Sequence, residues 1–221
     1  QEPFITSKYY HIYNRGVDRA RVFRDSNDYG HLLSCFDYYR HLHCPVKFST
    51  FCDAPTERVM SIRQEQESSG IQVCVLAYAL MNNHYHLLVR QEMDEGIHRF
   101  LFKSMNSFAK YCNTKHKRVG PLFQGNFQAV RIISDAQLLH VSRYIHLNPV
   151  VAGIMTLDSL ETYPWTSYPQ YIGKGKGWAD SSQILGMIGS NEKYRSFVRD
   201  YVSDSQYIAN IHDVALDFEM L

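Results

Sequence analysis

Apolar and polar positions along the first 150 residues follow two different periods. Strand-length apolar runs, bounded by turn-forming residues, predict four β-strands. These runs cover residues 8–14, 71–80, 84–90 and 127–133. Apolar residues at helical spacing cover residues 29–39, 97–116 and 134–147. Strands and helices do not alternate strictly, so the order predicts an α+β fold with a mostly antiparallel sheet and helices packed on it.

Local sequence signals predict where several of these helices and turns begin or end. The segment that begins at Asp25 offers an N-cap for the first helix, and Asn82 with Asn83 predicts a tight turn between two strands. Ser134 and Gln137 have the spacing of a capping box at the start of the last of these helices. Pro149 is expected to stop that helix.

The chain has the length of one domain with an appendage. Residues 43–70 contain two prolines and a charge-rich stretch, which predicts an insertion with a short exposed helix. We expect the main domain to span residues 1–165 and a helical C-terminal tail to span residues 166–221. A hydrophobic fraction of 45% supports a sizeable core for a chain of 221 residues.

Composition excludes several classes of protein. The five cysteines are odd in number and lack a Cys-x-x-Cys spacing, which favours reduced thiols in a cytosol over a disulfide scaffold or a zinc ribbon. No apolar run is long enough to span a membrane, and the first residues lack the features of a signal peptide. We therefore expect a cytoplasmic protein. The net charge of only +1 does not by itself indicate a nucleic-acid partner.

Two histidines, His84 and His86, stand one residue apart on a predicted strand. Residues i and i+2 of a strand point to the same face, so two imidazoles at this spacing can hold one metal ion. A second pair, His41 and His43, follows a predicted helix end, where such spacing turns side chains about 200° apart. We expect that second pair to be ordinary surface residues. For the first pair, metal ligands and ordinary strand histidines both remain open.

The helix that begins near Ser134 carries His140, Tyr144 and Asn148 along one face. A tyrosine, with an intrinsic pKa of about 10, attacks phosphorus only if a base or a metal-polarised phosphate assists it. If this face lies across from the histidine pair, the amide oxygen of Asn148 could complete a metal site beside Tyr144. The alternative is a tyrosine at a helix–sheet contact, with Asn148 as a C-cap. A role for His140 as a proton relay is a further hypothesis.

The segment from residue 99 to residue 131 has seven basic residues and no acidic residue. Interleaved aromatic residues accompany these charges, a combination that suits a nucleic-acid backbone and unpaired bases. The alternative is a lysine-rich solvated helix face. Together with Arg15 of the first strand, the candidate DNA-binding residues are Lys103, Lys110, Lys115, Lys117, Arg118 and Arg131.

Taken together, these segments resemble the single-tyrosine HUH transposases of the IS200-like kind, and in particular their REP-associated tyrosine transposase branch. The resemblance covers nearly the whole chain in order. Its main segments are residues 11–16, 80–88, 120–125, 142–150 and 163–168, with a weaker one at 194–198.

The resemblance implies a ferredoxin-like palm over residues 1–165 as the catalytic domain. It implies His84, His86 and Asn148 as ligands of Mg²⁺ or Mn²⁺, and Tyr144 as the nucleophile. The implied substrate is single-stranded DNA, commonly a hairpin, which Tyr144 would cleave through a 5′-phosphotyrosine link before strand transfer. Asn126 and Gln128 stand where the family usually has basic residues.

Two rival functions follow from the same residues. One is a domesticated protein that binds DNA hairpins without cleaving them, and the other is a metal hydrolase that uses the histidines without tyrosine chemistry. The oligomeric state is open between monomer and homodimer, and the appended tail favours a monomer.

Overall fold

A four-stranded antiparallel sheet organises the computed structural model, which describes residues 3–203. The strands are β1 Tyr9–Arg15, β2 Val73–Leu80, β3 His84–Gln91 and β4 Gln128–Ile132. Their order across the sheet is β2-β3-β1-β4, and every neighbouring pair is antiparallel. With a helix after β1 and another after β3, this is the ferredoxin-like arrangement. The predicted α+β class is confirmed.

Helices cover both faces of the sheet. They are α1 Ser26–Tyr39, α2 Phe48–Cys52, α3 Thr56–Ser69, α4 Gly96–Lys115, α5 Asp135–Val151, α6 Leu157–Leu160, α7 Tyr168–Tyr171, α8 Ser182–Ile188 and α9 Asn191–Ser203. The insertion predicted at residues 43–70 contains α2 and α3, and α7 to α9 lie within the predicted tail. The rest of that tail, residues 204–221, lies outside the described residues.

Strand alternation divides the interior into two cores. Ile12 and Leu87 belong to the core beneath α1 and α4. Ala77 and Leu88 belong to the core beneath α5 and the C-terminal helices. Because successive side chains of a strand point to opposite faces, His86 shares the α5 side with Leu88.

Two of the predicted local signals are confirmed. The Asp25 side chain accepts the backbone N–H groups of Asn27 and Asp28, which caps α1. The N–H of Met81 donates to the carbonyl of His84 at 2.9 Å and closes the turn between β2 and β3. This short connection fixes the register that places the histidines on β3.

The ends of α5 only partly follow the prediction. Ser134 accepts the N–H of Gln137 as expected, but the Gln137 side chain returns to the N–H of Ile133 rather than to Ser134. The prediction that Pro149 stops the helix was wrong, because α5 runs to Val151. A proline this near the C-terminal end removes one intrahelical hydrogen bond, and the burial of its neighbours against the sheet holds the last turn in place.

The expectation that His41 and His43 are both surface residues was wrong for His41. His43 is exposed, but His41 is 6% exposed and its Nδ1 lies 3.3 Å from the carbonyl oxygen of Gln66 on α3. The chain reverses after α1, and His41 pairs with Ile71 in an isolated bridge. The insertion therefore buries His41, which the local sequence places just after the end of a helix.

The C-terminal helices attach to α5 through a buried polar network. The Tyr194 hydroxyl donates to Ser142 Oγ at 3.0 Å and lies 2.7 Å from His146 Nδ1. His146 Nε2 lies 2.7 Å from Ser167 Oγ. Burial lowers the pKa of His146 to about 3, so the ring is neutral and each of its nitrogens has a partner.

All of the cysteines lie within the described residues. All five cysteines are free. Within residues 3–203, no helix has the length and apolar character that crossing a membrane requires.

Candidate active site

The candidate site lies on the α5 side of the sheet, where β1 and β3 run side by side. In their register Tyr13 pairs with His86 and Arg15 pairs with His84. Directly opposed residues of neighbouring strands share a face, so these four side chains project together. His11, two residues before Tyr13, shares the same face. The pairing of distant strands thus adds two aromatic residues and an arginine to the predicted histidine pair.

His86 is bound to a second buried imidazole. Its Nδ1 lies 2.9 Å from Nε2 of His11, and the two rings stack at a centroid distance of 5.1 Å. Burial lowers the pKa of His11 to about 3. Burial also lowers the pKa of His86, assisted by the neighbouring His11, His84 and Arg15. Two neutral rings share this hydrogen bond, one as donor and the other as acceptor.

The tautomer of His84 is set by the turn that precedes it. Its Nδ1 lies 2.6 Å from Oδ1 of Asn83, and Asn83 Nδ2 donates to the carbonyl of Arg19 at 3.0 Å. Because the second contact orients the amide, its oxygen faces the imidazole and His84 Nδ1 carries the proton. The lone pair of His84 is then on Nε2, the atom through which an imidazole ligates a metal.

Tyr144 of α5 lies directly over the histidines. Its ring centroid is 5.7 Å from the ring of His86 and 5.7 Å from the ring of His11, with both contacts edge-on. Asn148 follows one helical turn later and is 8% exposed. The helix face predicted to carry Tyr144 therefore meets the histidine face of the sheet.

Two histidines and one asparagine, His84, His86 and Asn148, suit a divalent ion that keeps open coordination positions. Within the described residues, no group of three or more His, Cys, Asp or Glu side chains is arranged to hold a metal. A site built on His84 and His86 would need the amide oxygen of Asn148, together with water or phosphate oxygens. Both imidazoles are hydrogen-bonded through Nδ1. The arrangement that leaves both Nε2 atoms as ligands requires His86 to donate to His11.

The candidate DNA-binding residues do not form one surface. Arg15 lies on the histidine face, opposite His84. Arg131 pairs with Tyr10 and therefore faces the α1 and α4 side. Lys103 and Lys110 line a cavity of about 840 Å³ between α4 and the insertion. Of the seven candidates, Arg15 alone is placed on the histidine face by strand pairing.

Lys115 is exposed and is paired with two carboxylates of the protein itself. Its ammonium lies 2.7 Å from carboxylate oxygens of both Asp25 and Asp28. Asp28 is fully buried; burial opposes its ionisation, but hydrogen bonds from Lys115, from the backbone N–H of Arg24 and from His116 lower its pKa overall. The principal partner of Lys115 is therefore this carboxylate pair.

Two other candidates lie in the loop after α4. Lys117 is exposed and adopts a left-handed backbone conformation, with φ of 50°. Arg118 is half-buried, and its guanidinium lies 3.5 Å from the carbonyl of Pro121. The backbone conformation of Lys117 and the contact of Arg118 do not connect either residue to the histidine face.

His140, the hypothetical proton relay, lies next to an arginine of the same helix. Its Nδ1 accepts a hydrogen bond from the Arg143 guanidinium at 2.8 Å, and Arg143 packs on the rings of Phe197 and Tyr201. The ring of Phe197, 6.0 Å from that of His140, also lies outside the histidine face.

Sequence reasoning assigned no role to His11, Tyr13 or Asn83. The period-2 spacing of residues 11, 13 and 15 was a usable signal that they share one strand face. Which face meets the histidines depends on the register between β1 and β3, over 70 residues apart in the chain, and no local pattern reveals it.

Comparison with known proteins identifies a solved structure with a similar fold. No protein-family model matches this chain, and no curated protein matches it in sequence. A solved structure described as a REP-associated tyrosine transposase bound to a REP hairpin is similar to it, with a TM-score of 0.56 and 14% sequence identity. The match covers 82% of this chain and 93% of that chain. The likeness shows that the two proteins share a fold.

Proposed function

We propose that this protein is a metal-dependent single-stranded DNA endonuclease and strand transferase that uses Tyr144 as its nucleophile. The observation that carries the proposal is the meeting of Tyr144 with His86 across the interface between α5 and the sheet. The shared fold with a transposase whose structure was solved on a DNA hairpin supports the same substrate class, hairpin-containing DNA.

The metal ligands in this proposal are His84, His86 and Asn148. A bound Mg²⁺ or Mn²⁺ would polarise a non-bridging oxygen of the scissile phosphate. Two imidazole ligands suit Mn²⁺ better than Mg²⁺, which prefers oxygen ligands. We therefore expect Mn²⁺ to bind more tightly in the isolated protein.

In the proposed cleavage step, the phenol oxygen of Tyr144 attacks phosphorus and its proton passes to water. A bond forms between the tyrosine oxygen and phosphorus while the bond from phosphorus to the 3′ oxygen breaks. The 3′ oxygen takes up a proton and leaves as a free hydroxyl, and the 5′ phosphate stays on Tyr144. Attack by another 3′ hydroxyl reverses the step and transfers the strand.

Arg15 is the residue we propose to contact the DNA backbone nearest to the scissile phosphate, because it lies opposite His84 on the same face. Lys103, Lys110, Lys117, Arg118 and Arg131 would contact DNA farther from the histidines. Tyr144 and the histidines of one chain face each other, which supports cleavage by the chain's own tyrosine and a monomeric enzyme. Residues 1–165 are proposed as the catalytic domain and residues 166–221 as its accessory tail.

Two tyrosines on the histidine face provide the test. The ring of Tyr13 lies 5.7 Å from that of His86, the same centroid distance as for Tyr144. Hairpin oligonucleotides with single-stranded flanks are incubated with each protein and Mn²⁺, and covalent adducts are detected on denaturing gels. We expect Tyr144→Phe to abolish the adduct and to retain DNA binding, whereas Tyr13→Phe forms the adduct.

The alternatives predict different outcomes in the same assay. Wild-type protein that binds hairpins without any adduct or cleavage would identify a binding protein. DNA cleavage that survives in Tyr144→Phe without an adduct would identify a metal hydrolase. An adduct that persists in Tyr144→Phe and disappears in Tyr13→Phe would move the nucleophile to β1.

A further inference from the structure

A second cavity lies on the opposite side of the sheet, at the end of β1. It has a volume of about 550 Å³ and runs between β1, α4 and the loop that precedes β4. The residues that matter most for its chemistry are Asn14, Phe102, Asn106, Asn126 and Phe127. Neither Tyr144 nor the histidine pair lines this cavity, so the proposed catalytic step gives it no role.

Asn14 supplies a buried polar group to the wall. It pairs with Tyr85 of β3, which belongs to the core beneath α1 and α4, so its side chain is on that side of the sheet. Its Oδ1 accepts the backbone N–H of Arg15 at 2.8 Å. That bond directs the carbonyl oxygen toward the backbone and leaves the amide nitrogen to act as a donor.

Aromatic rings join Leu101 and Met105 in the apolar part of the cavity. Phe127 stacks on Phe4 at a centroid distance of 6.1 Å and lies 5.9 Å from the ring of His98, which fixes its orientation. Phe102 of α4 is 72% exposed. A phenylalanine this exposed adds little to the core, so its position at the cavity suits contact with a bound molecule.

The charges of the lining residues, together with the aromatic rings, indicate what type of ligand the cavity suits. Among the residues that the structure describes, the lining contains no carboxylate, and its one permanently charged side chain is Arg99. Arg99 is tethered by Gln72 and by the carbonyl of Asp94. Aromatic faces combined with amide donors and acceptors match a flat heterocycle that carries polar groups on its edge, as a nucleobase does.

We propose that this cavity binds an unpaired base of the DNA substrate, an inference that rests on the proposed function. Asn14 and Arg15 are consecutive on β1, so they project to opposite faces of the sheet. A DNA strand that passes the end of β1 can place a phosphate against Arg15 on the histidine face. A base of a neighbouring nucleotide can then enter the cavity beside Asn14. The cavity would thus select which phosphate reaches the histidine face.

The test uses hairpin oligonucleotides with single-stranded flanks, selected from a randomised pool by the full-length wild-type protein in EDTA, where cleavage is blocked. Each unpaired nucleotide is replaced in turn by an abasic site, and affinity is measured by fluorescence anisotropy. We expect one position at which loss of the base weakens binding. Phe102→Ala should weaken binding by roughly 5- to 150-fold and remove the sensitivity to that abasic site.

Three further variants test whether the loss of affinity comes from the ring of Phe102 and from this cavity. Phe102→Tyr keeps a stacking ring and should bind like wild type. Met60→Ala removes another exposed apolar side chain, 67% exposed on α3 and outside the cavity, and should have no effect. Phe102 also borders the larger cavity beside the insertion, whereas Asn126 borders only the smaller of the two. Asn126→Ala should change which base is preferred at the sensitive position.

The outcomes separate the two proposals. If wild type binds hairpins but no abasic site weakens binding, or Phe102→Ala and Asn126→Ala leave the abasic profile unchanged, the cavity proposal is overturned and the catalytic proposal stands. If the wild-type protein selects no DNA from the pool, the proposed function itself fails and the cavity proposal fails with it.

Discussion

The chain contains two His-x-His pairs, and the structure places them in different secondary structure. His84 and His86 lie on β3, and both project toward α5. His41 and His43 follow the end of α1, where one ring is buried under the insertion and the other is exposed. The same spacing thus unites two imidazoles on a strand and separates them at a helix exit. The secondary structure decides the meaning of the motif.

Burial alone does not distinguish His86 from His41, since both are 6% exposed. The difference is in the neighbours. His41 contacts a backbone carbonyl, which is ordinary satisfaction of a buried polar group. His86 contacts a second imidazole and the edge of Tyr144, and it shares a face with His84 and Arg15. A cluster of imidazole, phenol and guanidinium groups on one face separates a candidate site from a packed histidine.

The largest expected effect is on metal binding by the two buried histidines. His86→Gln removes a proposed ligand and should weaken Mn²⁺ binding by more than the roughly 10–100-fold typical of an outer-shell partner. His41→Gln serves as the matched control, because it changes an equally buried imidazole in the other pair. Isothermal titration with Mn²⁺ checks both variants. Equal Mn²⁺ affinities in the two variants would remove the distinction between the pairs.

A smaller effect is expected at His11, which acts through His86. His11→Leu removes the hydrogen-bond partner of His86 Nδ1 and should weaken Mn²⁺ binding by roughly 10–100-fold. His11→Asn retains a side-chain acceptor and should recover part of the affinity. Mn²⁺ titration followed by electron paramagnetic resonance measures this directly, at a temperature where thermal melting shows both variants folded. Wild-type affinity in His11→Leu would show that the stacked imidazole serves packing alone.

The smallest effect concerns the pH dependence of stability at His41. Burial lowers the pKa of His41 in the folded protein, so the unfolded chain takes up this proton first as the pH falls through about 6.5. Until the pH reaches the lowered pKa of the folded protein, that uptake favours unfolding by up to about 1.4 kcal/mol for each pH unit. His41→Gln should therefore lose less stability than wild type between pH 6.5 and pH 5. Urea unfolding at several pH values tests this, and parallel curves would contradict it.

Local sequence determined much of the framework. The apolar runs of β2 and β3, the turn between them and the Ser134 cap could all be predicted, because each depends on residues close together in the chain. The end of α5 was not readable, since tertiary packing carries the helix past Pro149. His11 and Tyr13 joined the histidines only through long-range strand register. The pairing of Lys115 with two carboxylates at the start of α1 was not readable either, since they lie 90 and 87 residues away in the chain.

The central claim is that Tyr144 itself becomes linked to DNA. Wild-type protein is incubated with a cleavable hairpin oligonucleotide and Mn²⁺, the DNA is trimmed by nucleases, and the modified peptide is identified by tandem mass spectrometry. We expect a nucleotide attached through a 5′ phosphate to Tyr144, and we expect it to be absent when EDTA replaces the metal. A nucleotide on Tyr13 or another residue, or a Tyr144 adduct that forms equally in EDTA, would contradict it.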